Sequence, residues 1–225
     1  MKKIIFGVFA HPDDEAFGPA GTLLLETKSG TELHLICLTA GENGTNPDND
    51  PNLGETRLIE WQNAAHLIGA ASTHHLGYSD GHLDNMTMIE IAEKIRQIVA
   101  EHAADDAEIE FMSLDPNGLT GHIDHIVASR AASLAFHTLK SHDQRLTRIR
   151  YACLSSDQYP AIQTDWIYMD AGRQPNEIHE TIDARSLRNE IVAIMRCHAS
   201  QRADCEANLA KHGDNLGLNY FIVAQ

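Results

Sequence analysis

Two short clusters of polar residues stand out for the chemistry they could do. His11, Asp13, Asp14 and Glu15 crowd together directly behind the apolar run Ile4 to Phe9, and His122, Asp124 and His125 belong to a G-H-I-D-H element that starts at Gly121. Placed at the start of a helix, His122 and His125 are one turn apart and share a face. A histidine and an aspartate from the first cluster with a histidine from the second form a two-nitrogen, one-oxygen set that zinc accepts readily, leaving positions open for water. Water held there loses a proton near neutral pH and becomes a nucleophile. A neighbouring carboxylate that is not a ligand then acts as the base, and two adjacent aspartates supply both roles. The remaining histidine donates to the leaving group or stabilises an oxyanion, with Asp124 orienting it. A helix cap beside solvated charges explains either cluster alone about as well. It does not explain the two together.

The surrounding sequence predicts how both clusters reach one place. Ile4 to Phe9, Leu33 to Leu38 and Ile109 to Leu114 are short, nearly continuous apolar runs bounded by turn residues, as buried strands are, with His74 to Leu76 a weaker fourth. Between them Ala16 to Thr27, Glu55 to Ile68, Thr87 to His102 and His122 to Leu139 repeat apolar residues three and four apart, the period of a helix packed on a sheet. The alternation predicts an α/β fold: a Rossmann-like, mostly parallel sheet with helices on both faces. Ligands of such sheets bind outside the strand carboxyl ends, here Ala10 to Glu15, Thr39 to Gly54, Gly77 to Asn85 and Asp115 to His125. Past about residue 145 the pattern shifts to Arg150–Leu154, Trp166–Met169 and Ile178–Ile182 as strands, a helix from Arg185 to about His198 and a last strand at Tyr220–Ala224. We read residues 1–225 as one domain, with a core to about 145 and a C-terminal β-rich elaboration over 146–225.

Composition narrows the partners. The 225 residues are 43% hydrophobic and carry 32 acidic against 17 basic groups, a formal charge of −15, so nucleic acid and anionic membranes are repelled and neither is an expected partner. The apolar run behind Lys2 and Lys3 is too short for a secretory signal, and no segment approaches a membrane span. Cys37, Cys153, Cys197 and Cys205 form no C-x-x-C pair, which suits reduced thiols and a cytoplasmic location. Fourteen histidines are many for this length. Those outside the two clusters, His198 excepted, lack a paired carboxylate at ligand spacing and read as packing or surface residues, as do Trp61 and Trp166. The sequence leaves a homo-oligomer open.

At these residues the chain resembles a known family. A-H-P-D-D-E at residues 10 to 15 with H-x-D-H at His122 to His125 is similar to the zinc-dependent de-N-acetylases of the PIG-L or LmbE-like superfamily. The likeness extends through G-E-T-R at Gly54 to Arg57, L-G-Y-S-D-G at Leu76 to Gly81 and C-H-A-S-Q at Cys197 to Gln201. It implies metal ligation by His11, Asp14 and His125, a general base at Asp13 and an electrostatic or general-acid partner at His122. The metal is zinc, with Fe2+ or another divalent transition metal as alternatives. Arg57 and Asp80 fall where the family meets the sugar. Ile123 replaces a proline of the family pattern, and Thr120 stands where some members carry a tyrosine that polarises the acetyl carbonyl, which leaves the metal and His122 as the oxyanion donors. His198, in the C-H-A-S-Q element, is a further residue that approaches the site. The implied reaction removes the N-acetyl group of an N-acetylglucosamine-type small molecule, giving amine and acetate; the alternative is an amidase of a related thiol or glycoside conjugate.

Readings outside the family fit less of the sequence. A non-haem iron oxygenase also uses two histidines and a carboxylate, but in a jelly-roll setting that the helical periodicity opposes. A receiver-like signalling module explains the acidic cluster and leaves G-H-I-D-H without a role.

Overall fold

The computed structural model describes residues 2–159, 162–163, 168–169 and 171–225. In chain order its elements are β1 (Lys2–Phe9), α1 (Asp14–Phe17), α2 (Ala20–Lys28), β2 (Glu32–Thr39), α3 (Leu53–Ile68), β3 (Ser72–Tyr78), α4 (Asn85–His102), β4 (Ala107–Leu114), α5 (Ile123–Lys140) and β5 (Leu146–Cys153). The C-terminal part adds β6 (Ile162–Gln163), β7 (Tyr168–Met169), β8 (Glu180–Asp183), α6 (Arg188–Met195), α7 (Arg202–His212) and β9 (Leu218–Ala224).

Seven strands form one sheet in the order β3-β2-β1-β4-β5-β9-β8. The first five are parallel, and β9 and β8 extend the sheet antiparallel. Alternation along β1 shows why the sheet needs helices on both sides: Ile4, Phe6, Val8 and Ala10 belong to one core with α4 and α5, while Ile5 and Phe9 belong to another with α2, α3 and α6. Each such side chain, fully removed from water, stabilises the fold by about 1.5–3 kcal/mol. Trp61 on α3 is buried in the second core.

Strand order reverses between β1 and β4, so their carboxyl ends diverge and open the crevice where this fold binds ligands. Residue 11 follows β1 and residue 122 follows β4, which brings both polar clusters to its two sides.

Several boundaries differ from expectation for identifiable reasons. The helix expected from Ala16 to Thr27 is two, α1 and α2, because Gly18 and Pro19 interrupt it; a proline lacks the N–H and disfavours helix in the residue before it. The weak strand at His74 to Leu76 lengthens to β3, and the strand expected from Arg150 begins at Leu146. The helix expected over Arg185 to His198 is shorter: 3-10 turns at Arg185–Leu187 and Ala199–Gln201 flank α6. Trp166 lies outside the described residues; Tyr168–Met169 pairs with Ile162–Gln163.

A buried ionic cluster ties the helix layer to the sheet. Arg150 Nη2 lies 2.7 Å from Glu26 Oε1 and 3.0 Å from Glu110 Oε2, and Lys3 Nζ lies 3.0 Å and 3.1 Å from the same two carboxylates. Among the described residues no helix is long and apolar enough to cross a membrane.

Candidate active site

The carboxyl end of β1 delivers His11, and the turn that follows is unusually constrained. Asp13 adopts φ 126°, a region an L-residue occupies at a cost of about 1–3 kcal/mol, which surrounding contacts must offset. They are present. Arg57 Nη2 donates to Asp13 Oδ2 at 2.8 Å and to Pro12 O at 2.8 Å, while Arg57 Nη1 donates to Gly41 O at 2.7 Å. A Cβ at Gly41, where φ is +65°, would collide with that guanidinium, so glycine is required there. On the other side Glu15 Oε2 accepts from the Asp13 backbone N–H at 3.2 Å, and Glu15 Oε1 pairs with His198 Nε2 at 3.0 Å.

Asp14 turns inward. Its Oδ2 accepts from the backbone N–H groups of Ala10 and His11, both at 3.0 Å, which fixes the carboxylate. Asp14 Oδ1 lies 3.1 Å from His125 Nε2, and His11 Nδ1 lies 3.0 Å from the same nitrogen and 3.9 Å from Asp14 Oδ2.

The outer partners fix the tautomers. His11 Nε2 faces two carboxylates, Asp80 Oδ1 at 3.1 Å and Asp124 Oδ2 at 3.3 Å, so it carries the proton and leaves the Nδ1 lone pair inward when the ring is neutral. His125 Nδ1 donates to Gly118 O at 3.0 Å, which leaves the Nε2 lone pair inward. Gly118, at φ +83°, packs so closely against the backbone of His122 that a Cβ would not fit. Two imidazole lone pairs and a carboxylate therefore point at one spot. A tetrahedral ion with bonds of about 2.1 Å spaces its ligands about 3.4 Å apart, and His11 Nδ1 and Asp14 Oδ1 lie close to that spacing from His125 Nε2, at 3.0 and 3.1 Å. The donor set fits a divalent transition metal. Burial opposes charge on His11, but hydrogen bonds to Asp124 and Asp80 and the Asp14 charge outweigh it and raise its pKa to about 10.

A ring nitrogen of His122 also comes within 4.8 Å of ligand atoms of His11 and His125. The Asp124 backbone N–H donates to His122 Nδ1 at 3.1 Å, making His122 the N-cap of α5. That bond requires Nδ1 to be an acceptor, so the ring is neutral with its proton on Nε2. Burial and then the imidazoles of His125 and His11 push its pKa down to about 4. Of the two roles that the resemblance implies for His122, a general acid, which must be protonated, does not fit this environment, and an electrostatic partner does. Asp124 likewise differs from expectation. Its carboxylate accepts from Gly81 N at 2.7 Å and orients His11, while the hydrogen bond it gives His122 comes from its backbone N–H.

Asp13 is the adjacent, differently tuned carboxylate. Burial lifts its pKa, Arg57 partly offsets this and Asp14 adds to it, leaving it raised to about 6, whereas the two nearby histidines outweigh burial at Asp14 and hold that pKa far below the ordinary value. Two neighbouring carboxylates are thus pushed apart, one toward proton exchange near neutrality and one toward permanent charge.

The expected sugar contacts have other tasks. Arg57, 4% exposed, is occupied by Asp13, Pro12 and Gly41, and Asp80, 6% exposed, by His11 and the Asn43 backbone N–H at 2.9 Å. Both line the cavity and position the residues beside it. His198 is fully buried against Glu15 and buttresses the Asp13 turn from behind. The Ile123 side chain is exposed, so its departure from the family proline leaves His122 and His125 in place.

A cavity of about 630 Å³ covers the cluster. Its far wall was not anticipated: Tyr159, Gln201, Asp204, Asn208, Lys211 and His212 line it. The polar spacing 204, 208, 211 on α7 is the sequence signal that could have found this wall.

The fold and the site define an α/β protein with a Rossmann-like sheet and His/Asp groups able to hold a metal at the crevice where strand order reverses. The chain belongs to the PIG-L family: the model described as GlcNAc-PI de-N-acetylase matches residues 6–136. It is 32% identical over 137 residues to a probable N-acetyl-alpha-D-glucosaminyl L-malate deacetylase 2 of Bacillus anthracis, covering 59% of this chain and 58% of that protein. It is 26% identical over 233 residues to the 1D-myo-inositol 2-acetamido-2-deoxy-alpha-D-glucopyranoside deacetylase of Mycolicibacterium smegmatis, covering 88% and 80%. Among solved structures, the N,N'-diacetylchitobiose deacetylase of Pyrococcus horikoshii superposes with TM-score 0.66 at 17% identity over 98% of this chain and 82% of that one. The 4-carboxy-2-hydroxymuconate hydratase GalB of Pseudomonas putida does so at 0.67 and 17%, over 100% and 97%. At such identity both attest the fold alone, and together they show that the fold does not dictate the reaction.

Proposed function

We propose that this chain is a metal-dependent N-deacetylase that hydrolyses the acetamide of an N-acetylglucosamine-type glycoside to a free amine and acetate. One observation carries the reading: the His11, Asp14 and His125 donor atoms converge beside a second carboxylate, Asp13, whose pKa is raised to about 6. The deacetylase names of the B. anthracis and M. smegmatis relatives support the substrate class.

His11, Asp14 and His125 would hold the metal, zinc by preference, with Fe2+ or another divalent ion accommodated by the same donors. When bound, it would supply Lewis acidity for the acetyl carbonyl and lower the pKa of a water. Asp13 takes the proton of the attacking water as its oxygen bonds to the acetyl carbon. It then delivers that proton to the amide nitrogen as the C–N bond breaks, so the amine leaves neutral. Neutral His122 presents Nε2–H toward the oxygen on which charge develops, a hydrogen-bond donor in place of the expected acid. Arg57 keeps Asp13 aimed, and Asp80 and Asp124 hold the His11 tautomer. The α7 stripe of Asp204, Asn208 and Lys211 offers partners for sugar hydroxyls or the aglycone.

We place the enzyme in the cytoplasm as a single deacetylase domain, supported by four cysteines that are all free. A screen of N-acetylated sugar glycosides with zinc-loaded protein, reading primary amine, tests the proposal: release from glucosaminides supports it, and release only from non-sugar amides or from none contradicts it.

A further inference from the structure

A second group of imidazoles lies at the opposite end of the sheet. His34 on β2, His74 on β3 and His102, the last residue of α4, each offer a ring nitrogen, all within 4.8 Å of one another. Ring centroids are 4.5 Å apart for His34 and His102, 4.9 Å for His74 and His102, and 6.3 Å for His34 and His74. His34 pairs in register with Phe6, and His11 is five residues further along the same direction, so the cluster lies roughly 16 Å from the candidate active site by strand rise. It shares no residue with that site.

We propose that His34, His74 and His102 form a separate binding site for a divalent transition metal of the zinc, nickel or copper kind. Imidazole suits these ions and not the hard cations magnesium or calcium. The local field favours a positive ion: the cluster sits at the carboxyl terminus of the eighteen-residue α4, where unpaired carbonyls concentrate negative potential. Glu32 Oε1 lies 3.0 Å from His34 Nε2, and Glu101 acts on His74. Burial holds His34 and His74 below the usual imidazole pKa, so both are neutral at pH 7, the form a ligand requires.

The hydroxyl of Ser72 spans two members, with Oγ 2.7 Å from His34 Nδ1 and 2.7 Å from His74 Nε2. Glu32 accepts the proton of His34 Nε2, so Ser72 donates to His34 Nδ1 and in turn accepts from His74 Nε2–H, which leaves His74 Nδ1 with its lone pair. Binding would exchange one of the bonds that His34 makes to Ser72 or Glu32 for a bond to the metal. Exchange at Nε2 keeps Glu32 within reach as a fourth, anionic ligand, and a closed four-ligand set is the structural rather than catalytic kind. Such an ion would clamp the end of α4 to β2 and β3. The inference stands whether or not the chain is a deacetylase.

The test is zinc content by elemental analysis after dialysis, with thermal melts, on wild type, His125→Ala, His74→Gln/His102→Gln and the combined triple variant. The expected contents are two ions per chain for wild type, one for each of the first two variants and none for the triple, with acetate release by His74→Gln/His102→Gln as in wild type. In His125→Ala, zinc at about a hundred times its Kd should raise the melting midpoint by roughly 5 to 10 °C, and in the triple variant it should not. His102→Gln alone, should the double variant not fold, is expected to weaken the second ion at least tenfold. A single ion in wild type, lost in His125→Ala, would overturn the proposal. So would a second ion that persists without His74 and His102.

Discussion

Arg57 Nη2 sits 2.8 Å from Asp13 Oδ2, and the same guanidinium grips the Pro12 and Gly41 carbonyls on either side. The arginine therefore sets both the direction of the Asp13 carboxylate and the strained turn that carries it. Arg57→Gln removes the charge-assisted hydrogen bond to Asp13 and the largest influence opposing burial there, so the Asp13 pKa rises above about 6. Since the base acts deprotonated, the acidic limb of the rate profile should move to higher pH. Turnover at neutral pH should fall about tenfold or more, with metal content kept. A profile that stays in place would remove Arg57 from this role.

Asp13 and Asp14 are neighbours with separate duties, and neutral substitutions should divide them. Asp13→Asn is expected to hold metal and lose on the order of a hundredfold or more in turnover. Asp14→Asn should lose metal, because its carboxylate is the anionic member of the proposed ligand set. Metal analysis beside steady-state rates checks both, and the reverse pattern would exchange the assignments.

His122 should act as a neutral donor. His122→Ala is expected to keep its metal, keep a similar KM and lose about 10² to 10³ in kcat, the usual size of one oxyanion donor. With a pKa near 4 the ring does not change charge above pH 6, so the substitution should leave the shape of the pH profile above pH 6 unchanged. A wild-type fall in rate at alkaline pH that the variant lacks would restore the general-acid role that the family resemblance implies.

The buried ionic cluster makes a prediction about stability. Glu26 has its pKa held below the ordinary 4.5: burial opposes this, but Arg150 and Lys3 prevail. A folded-state pKa below the unfolded one gives stability that is present above pH 4.5 and is lost as pH falls through the folded value. Arg150→Met should cost about 3 kcal/mol, the low end for breaking a buried pair because Lys3 and Arg148 still face Glu110. The melting midpoint should drop roughly 6 to 12 °C at pH 7. A drop under 2 °C would show that the cluster contributes little.

Much of this was legible before any coordinates. The alternating apolar runs predict the parallel sheet, and the motif at residues 10 to 15 and the His122–His125 element fall at its strand ends. Three things were not readable. The roles of Arg57, Asp80 and Asp124 depend on which acceptors the folded loops bring within 3 Å, and spacing does not carry that information. The charge state of His122 is set by burial and by the imidazoles of His125 and His11, and its tautomer by the Asp124 backbone N–H at the helix start, surroundings that no side-chain pattern displays. Tyr159 and α7 meet in the cavity wall, with Tyr159 Oη 3.2 Å from His212 Nε2 across 53 residues of sequence, a long-range contact that local periodicity does not encode.

The most direct test of the central claim is acetate and amine quantified together from an N-acetylglucosaminide, using wild type and His125→Ala stripped with chelator and then given the same zinc. We predict equal amounts of both products from reconstituted wild type, none before reconstitution, and a fall of at least a hundredfold in His125→Ala. Equal release by stripped protein or by His125→Ala, or amine without matching acetate, would contradict the account.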